Sequence, residues 1–161
     1  MLAARVVLLL SLASAGVALG QVPEDPTMKP ELRLDVSRLG NRMSLQAGGG
    51  VQMPIGYYTR IGVIGAAGAD VERFAQDASG RLDVVGRFLF DPFRQMRWGL
   101  SAGAGVSLRV RARDRVRPYL VSVLDLEGPL DARGISPALQ LGIGGGVRLG
   151  VALRKGAKSA R

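Results

Sequence analysis

The sequence RWGLSAGAGVSLRVR, at residues 97–111, alternates between apolar residues and residues that are glycine, serine or arginine. The apolar set is Trp98, Leu100, Ala102, Ala104, Val106, Leu108 and Val110. A period of two is that of a β-strand, because successive side chains of a strand point to opposite faces of its sheet. The stretch therefore predicts a strand with one apolar face and one face of small or positively charged residues.

The same period recurs along most of the chain. Comparable runs occupy residues 32–37, 43–53, 57–68, 81–90, 118–128 and 138–155. Turn-forming sequences lie between them: LGN at 39–41, PIG at 54–56, DASG at 77–80, ARD at 112–114 and GPLDARG at 128–134. Helical periodicity is nearly absent, although VERFAQD at 71–77 is compatible with one helical turn. We predict an all-β fold, an up-and-down antiparallel meander that closes into a small barrel of about eight strands.

The number of strands depends on the last run, ALQLGIGGGVRLGVALRK at 138–155, whose apolar residues keep one phase throughout. A two-residue turn within the glycines at 144–146 would pair Gly144 with Val147 and break that phase. The run is therefore one long strand, or two strands separated by an odd-length loop at 144–146 or at Gly150. Closure with both chain ends on one side favours eight strands over seven.

The ends of the sequence divide the chain into four segments. Residues 1–20 carry one positive charge and then an apolar core, and they predict a signal peptide cleaved after Gly20, with Ala15 as the second choice. An uncleaved anchor helix is the alternative, but the apolar core has about 15 residues, and a membrane-spanning helix needs roughly 20. Residues 21–30 predict an extended, proline-containing lead-in, residues 31–155 the barrel domain, and residues 156–161 a basic tail.

The composition restricts the classes of function. The chain has no cysteine and no histidine, which excludes disulfides, thiol nucleophiles and thiolate metal sites, and removes the commonest general base and transition-metal ligand. We therefore predict that the protein is not an enzyme and has no cofactor and no metal site. The formal net charge of +9 suits anionic lipid headgroups or a solvated surface. Export and the lack of a nucleic-acid-binding motif argue against nucleic acid as a partner.

Two features favour lipid over solvent as the surroundings of the apolar face. The opposite face carries much glycine together with arginine, aspartate and serine, which is typical of a narrow polar lumen. In a meander, six of the eight aromatic residues also fall at one rim, as an interfacial belt requires: Tyr57, Tyr58, Phe88, Phe90, Phe93 and Trp98. A soluble barrel with a small aromatic core at one end is the alternative.

These patterns resemble the small outer-membrane β-barrel proteins of the OmpA/OmpX-like type. The resemblance covers roughly residues 31–155 and is carried by the alternating strands, the GAGVSLRVR…RPYL hairpin and the LGIGGGVRLG run. It implies an outer-membrane barrel. Members usually end in a strand with a terminal aromatic residue used for assembly, whereas this sequence ends in RKGAKSAR.

The candidate lumen residues are charged side chains on the less apolar phase. They are Arg60, Asp83, Arg87, Arg109, Asp125 and Arg148, accompanied by Arg33, Asp35 and Glu127. They suit a charged pore, or a plug of arginine–carboxylate pairs, which the narrow interior of an eight-stranded barrel favours. The run RVRARDRVR at 109–117 is either a phosphate clamp for lipid headgroups or a solvated hairpin tip.

The sequence thus predicts an exported outer-membrane barrel with a structural or surface-interaction role, in contact with membrane lipid and anionic headgroups. The alternative is a secreted or periplasmic soluble β-barrel or sandwich that binds an apolar ligand inside.

Overall fold

The computed structural model describes residues 28–72, 75–93, 95–111 and 114–156. Within these ranges the chain forms eight antiparallel strands in sequence order, and the last pairs with the first to close a barrel. The strands are β1 (Lys29–Leu39), β2 (Arg42–Pro54), β3 (Thr59–Glu72), β4 (Ala75–Leu89), β5 (Gly99–Arg111), β6 (Asp114–Glu127), β7 (Ile135–Ile143) and β8 (Val147–Lys155). This confirms the predicted all-β meander. No helix in the described ranges is long and apolar enough to cross a membrane.

The two ends of the barrel differ in what connects the strands. The terminal end carries both ends of the described chain and the connections at 55–58, 90–98 and 128–134. The hairpin end carries the β3–β4 and β5–β6 connections and the short turns at 40–41 and 144–146. Closure joins β1 to β8 over eight residue pairs, from Glu31 opposite Arg154 to Arg38 opposite Val147.

The glycines at 144–146 separate β7 from β8. Ile143 pairs with Val147 across this three-residue loop, so both strands keep the same apolar phase. The three glycines have φ angles of +139°, +64° and +126°, a region that residues with a Cβ atom rarely adopt. The odd-length loop and the eight-stranded barrel are therefore confirmed, and the single long strand is excluded.

The turn predicted at DASG is wrong. Residues 77–80 lie inside β4, where Gly80 pairs with Ala67 and Val71 with Gln76. The sequence at 71–77 is compatible with one helical turn, but the β3–β4 ladder continues to Glu72 opposite Ala75. Continuous pairing with β3 thus overrides the local turn preference of an Asp-Ala-Ser-Gly sequence.

Other sequence predictions concern residues that lie partly outside the described ranges. The signal peptide at residues 1–20 and most of the lead-in and tail lie outside them. Residues 112–113 of the predicted ARD turn also lie outside them, and Asp114 already belongs to β6, where it pairs with Arg111. β1 begins at Lys29, two residues before the predicted start of the barrel domain.

The barrel buries its polar face and exposes its apolar face. Among the described residues, 18 buried side chains are polar or charged and 8 are hydrophobic. The outward positions of all eight strands carry leucine, valine, isoleucine, methionine or phenylalanine, and Leu120 is the most exposed of these at 80%. A water-soluble barrel has the opposite arrangement, with its apolar side chains inside.

Small residues on the inward phase let neighbouring strands approach closely. A Cβ atom on Gly105 would lie 2.7 Å from the Cα of Val85 on β4, whereas a Cβ on the outward Gly65 would meet no atom within 4 Å. The inward position therefore has no space for a side chain, while the outward position has space for one.

We expect Gly105→Ala to lower the free energy of unfolding by about 1–3 kcal/mol, because the added methyl group forces β4 and β5 apart. Gly65→Ala is the matched control and should change it little. Urea unfolding of the refolded chain in detergent micelles, followed by far-ultraviolet circular dichroism, measures both. Equal unfolding midpoints for the two variants would contradict the close approach.

Candidate functional site

Arg154 on β8 is the centre of a charged cluster at the terminal end of the lumen. Its Nε atom donates to Glu31 Oε2 at 2.8 Å, and its Nη2 atom donates to Asp125 Oδ1 at 3.1 Å. Its Nη1 atom lies 3.5 Å from Glu127 Oε2. One guanidinium thereby binds carboxylates from two other strands, β1 and β6, in a site where its own side chain is only 4% exposed. The geometry cross-links the barrel close to its closure seam.

Two more arginines complete this cluster. Arg87 on β4 donates from Nε to Asp125 Oδ2 at 2.8 Å. Arg60 on β3 donates from Nη1 to Glu127 Oε2 at 3.4 Å. Asp125 and Glu127 of β6 therefore each bind Arg154 of β8 together with one arginine of β4 or β3, so the contacts cross the lumen.

The centre of the lumen connects the two ends. Arg33 donates to Asp35 Oδ1 at 2.8 Å and to Glu31 Oε1 at 3.3 Å, and it also donates to Gln140. Arg81 on β4 donates to the other oxygen of Asp35. Asp35 thus lies between two guanidinium groups from different walls. Polar contacts therefore run without a break from the terminal end towards the hairpin end.

At the hairpin end, the carboxylates of Asp83 and Asp70 each bind two arginines. Arg148 Nη1 donates to Asp83 Oδ2 at 2.6 Å, and Arg81 Nε lies 3.0 Å from the same oxygen. Asp70 binds the other two arginines: Nη2 of Arg109 lies 2.7 Å from its Oδ1, and Nε of Arg111 lies 2.8 Å from its Oδ2.

The candidate residues from the sequence all face the lumen. Asp83, Arg87, Asp125 and Arg148 are buried, and Arg60 and Arg109 are partly buried. The structure brings together Asp83 with Arg148 and Arg87 with Asp125. It separates Arg60 from Arg109, which lie at opposite ends and bind Glu127 and Asp70.

Sequence reasoning did not name five charged members of the network as lumen candidates: Glu31, Asp70, Arg81, Arg111 and Arg154. Arg81 and Arg154 have the same phase as the candidates Asp83 and Arg148 on their own strands, so the alternation alone could have found them. Glu31 lies at the predicted start of the barrel domain. Asp70 lies in GAAGAD, a stretch that has no strong alternation to identify its inward side.

The RVRARDRVR run does not act as one unit. Its first two alternate arginines, Arg109 and Arg111, point inward to Asp70, whereas Arg117 is exposed. Residues 112–113 lie outside the described ranges. Arg117 pairs with Arg109 across β5 and β6 and therefore has the same inward phase, so the exposed arginine of the run lies at the mouth of the barrel.

The predicted aromatic belt lies at the terminal end. Tyr57, Tyr58, Phe88, Phe90, Phe93 and Trp98 are each between 43% and 63% exposed. Tyr58 stacks on Phe88 with ring centroids 5.8 Å apart and meets Phe93 edge-on at 6.2 Å. Tyr57 also contacts Phe93, and Phe90 contacts Phe88. Five rings thus form a contiguous patch on the outer surface. Trp98 immediately precedes β5 and is also exposed.

No group of three or more acids in the described ranges is arranged to hold a metal ion. Each buried carboxylate there accepts a hydrogen bond from at least one arginine. Such contacts stabilise the ionised form of these acids.

Comparison with known proteins supports the fold. No protein-family profile matches the sequence, and no curated protein matches it. A similar solved structure is described as "De novo design of transmembrane beta-barrels"; it has 13% identity and a TM-score of 0.54, and the match covers 83% of this chain and 99% of that one. Another, "Solution NMR structure of de novo designed TMB2.3", has 10% identity, a TM-score of 0.46 and coverage of 85% and 100%. The first likeness shows the barrel fold and does not assign the chain to the OmpA/OmpX-like family.

We expect Arg154→Gln to destabilise the barrel by about 3–5 kcal/mol, because it leaves buried carboxylates without their main counter-charge. Arg42→Gln is the control: the Arg42–Glu72 pair is 42% and 45% exposed, and its loss should cost about 0–1 kcal/mol. Unfolding midpoints of the two variants in the same micelles test the difference. Similar losses would show that burial of the Arg154 cluster does not matter to stability.

Proposed function

We propose that this chain is an exported barrel of an outer membrane, with a structural or surface-interaction role and a lumen closed by ion pairs. The observation that carries the proposal is the inverted barrel, which is apolar outside and charged inside. Soluble monomers rarely expose apolar patches larger than a few hundred Å². Here apolar side chains cover the outside of all eight strands, as lipid contact requires.

The strand lengths agree with this proposal. A transmembrane β-strand needs about 9–11 residues to cross the hydrocarbon core at a tilt. The shortest strands, β7 and β8, have 9 residues each, and the longest, β4, has 15. Every strand is long enough to cross, and the longer hairpins can extend beyond the bilayer. The designed transmembrane barrel to which the chain is similar has the same fold.

The lumen supports a structural role. Its charges bind one another across the barrel, so the interior offers neither an apolar chamber nor a free catalytic acid in the described residues. The soluble alternative needs an apolar interior for its ligand and is therefore disfavoured. We propose a protein without enzyme activity.

Membrane lipid is the proposed partner, and nucleic acid is not. The aromatic patch at the terminal end suits the headgroup region of a membrane. With the N-terminus in the periplasm, this end of the barrel would lie at the periplasmic boundary of the outer membrane. At the hairpin end, Arg38 and Arg117 are exposed and can bind anionic headgroups.

We expect Val106→Arg to destabilise the membrane-inserted barrel by about 2–4 kcal/mol, because the charge would enter the bilayer midplane. Val110→Arg, on the same outward face near the hairpin end, should cost about 0–1 kcal/mol. The two valines are similarly exposed, at 45% and 47%, so depth is the main difference. Urea unfolding from phosphatidylcholine vesicles measures both, and equal costs would argue against insertion.

Trp98 provides an independent test of location. It is the only tryptophan of the chain and lies on the outer surface, 51% exposed. In vesicles, its fluorescence should be quenched by lipids brominated near the headgroup, because an indole at this rim lies at the interface. Strong quenching by aqueous iodide together with none by brominated lipid would place the rim in water and favour a soluble barrel.

A further inference from the structure

A groove lies on the outer surface of β5, β6 and β7. It has about 350 Å³ of space, and its lining is almost wholly apolar. The outward side chains that line it are Ala102, Ser122, Leu124, Leu141 and Ile143. Leu124 lies opposite both Ala102 and Leu141 in the sheet, and Ser122 lies opposite Ile143. The groove therefore runs along the strands, from Ser122 on its hairpin side towards the terminal end.

Ser122 differs from the other outward residues. Among the described residues, the outward positions away from the first two and last two of each strand are otherwise apolar or glycine. Its outward neighbours in the sheet are Leu120, Leu124, Ala104 and Ile143. No side chain beside it can therefore accept its hydrogen bond, and a hydroxyl that faces hydrocarbon without an acceptor is unfavourable. An acceptor from a bound molecule would satisfy it.

The level of Ser122 in a membrane follows from the length of β7. This strand has 9 residues, which is the lower limit for crossing the hydrocarbon core. Ile143 is its last residue, and the glycine turn at 144–146 follows it, so Ile143 would lie at the boundary of the hydrocarbon core on the hairpin side. Ser122 pairs with Ile143 and would lie near the same boundary. The ester groups that join acyl chains to lipid headgroups occupy this boundary.

The size and shape of the groove suit one acyl chain. A methylene group takes roughly 30 Å³, about the volume of a water molecule in the liquid, so the groove has room for about ten of them. A flexible chain can follow the groove from the boundary towards the centre of the bilayer. A second copy of the barrel presents a convex wall instead. Leu120, the most exposed apolar side chain at 80%, lies beside Ser122 on the same face and would keep two such walls apart.

We propose that the groove binds one acyl chain of an ester-linked membrane lipid, and that the Ser122 hydroxyl donates a hydrogen bond to the ester carbonyl oxygen. Such a site rests on the proposed contact of the outer face with membrane lipid, and it gives that face one specific position for a lipid. Burial of the apolar chain holds the lipid. The hydrogen bond fixes the position of its ester group along the barrel.

Native mass spectrometry of the refolded chain in detergent micelles tests the hydrogen bond. The probes are dipalmitoyl phosphatidylcholine and its diether analogue, which lacks the ester carbonyl groups, added together in equal amounts. We expect a one-to-one lipid adduct in which the ester lipid exceeds the ether lipid about two- to tenfold, the usual range for one neutral hydrogen bond. Ser122→Ala should bind the two lipids equally, because it lacks the donor.

Ala102→Phe tests the groove itself, because the added ring would fill it. Ala67→Phe is the matched control: Ala67 is an outward alanine of β3 whose neighbours across the sheet are Ala47 and Gly80, and it does not line the groove. We expect Ala102→Phe to reduce the adduct about tenfold or more, since displacing about two buried methylene groups has an effect of that size. Ala67→Phe should leave the adduct unchanged. Far-ultraviolet circular dichroism checks that both variants are folded.

Three results would overturn the lipid site: no one-to-one adduct, equal amounts of the two adducts on the unaltered chain, or equal loss in the two phenylalanine variants. A dimer of the chain that Ala102→Phe abolishes would overturn it as well, because a second copy would then fill the groove. Failure of the proposed function is a separate result, since it would appear as equal costs of Val106→Arg and Val110→Arg in vesicles. A barrel that passes that test and shows no preference for the ester lipid lacks only the lipid site.

Discussion

An ionised group that leaves water loses several kcal/mol of hydration, and only an opposite charge with hydrogen bonds can replace it. This constraint governs the barrel, because the apolar face of every strand points outward and the charged face has to go inside. The lumen satisfies this constraint because oppositely charged side chains from different strands pair with one another. Arg154 contacts acids of β1 and β6, and Arg87 reaches Asp125 from the far side. The pairs to Asp125 consequently link β4 and β8 to β6, with which they share no backbone hydrogen bonds, whereas the Arg154–Glu31 pair reinforces the β1–β8 seam.

Long guanidinium side chains fit inside so narrow a barrel only because other inward positions are nearly empty. A Cβ atom on Gly62 would lie 2.6 Å from Nη1 of Arg87. On the opposite wall, a Cβ atom on Gly150 would lie 3.2 Å from Nη2 of Arg33. The glycines that alternate with apolar residues therefore leave the volume that the arginines fill. This explains why glycine and arginine share one phase in the sequence.

The alternation identifies most of the fold because a period of two decides both the strand and its inward side. It placed Asp125 and Arg148 on the inward phase, but it left residues 138–155 as either one long strand or two, and the structure separates β7 from β8 at the glycines 144–146. It could not identify partners: that Arg154 reaches Asp125 depends on the shear of the closed barrel, which no single strand encodes. The DASG turn failed for a related reason, since pairing with β3 decided where β4 begins. Asp70 was missed because small residues precede it and weaken the local pattern.

The closure seam has a consequence for the order of assembly. Seven of the eight strand pairs join neighbours in sequence, and each can form as a local hairpin. The β1–β8 pair instead joins Glu31 to Arg154, so its formation closes a loop that contains the whole barrel and bears the largest entropic cost. The same step brings Arg154 to Glu31 and encloses the lumen. Sealing the sheet and neutralising its interior are therefore one event, and a partly assembled chain would expose an unpaired edge and uncompensated charges together.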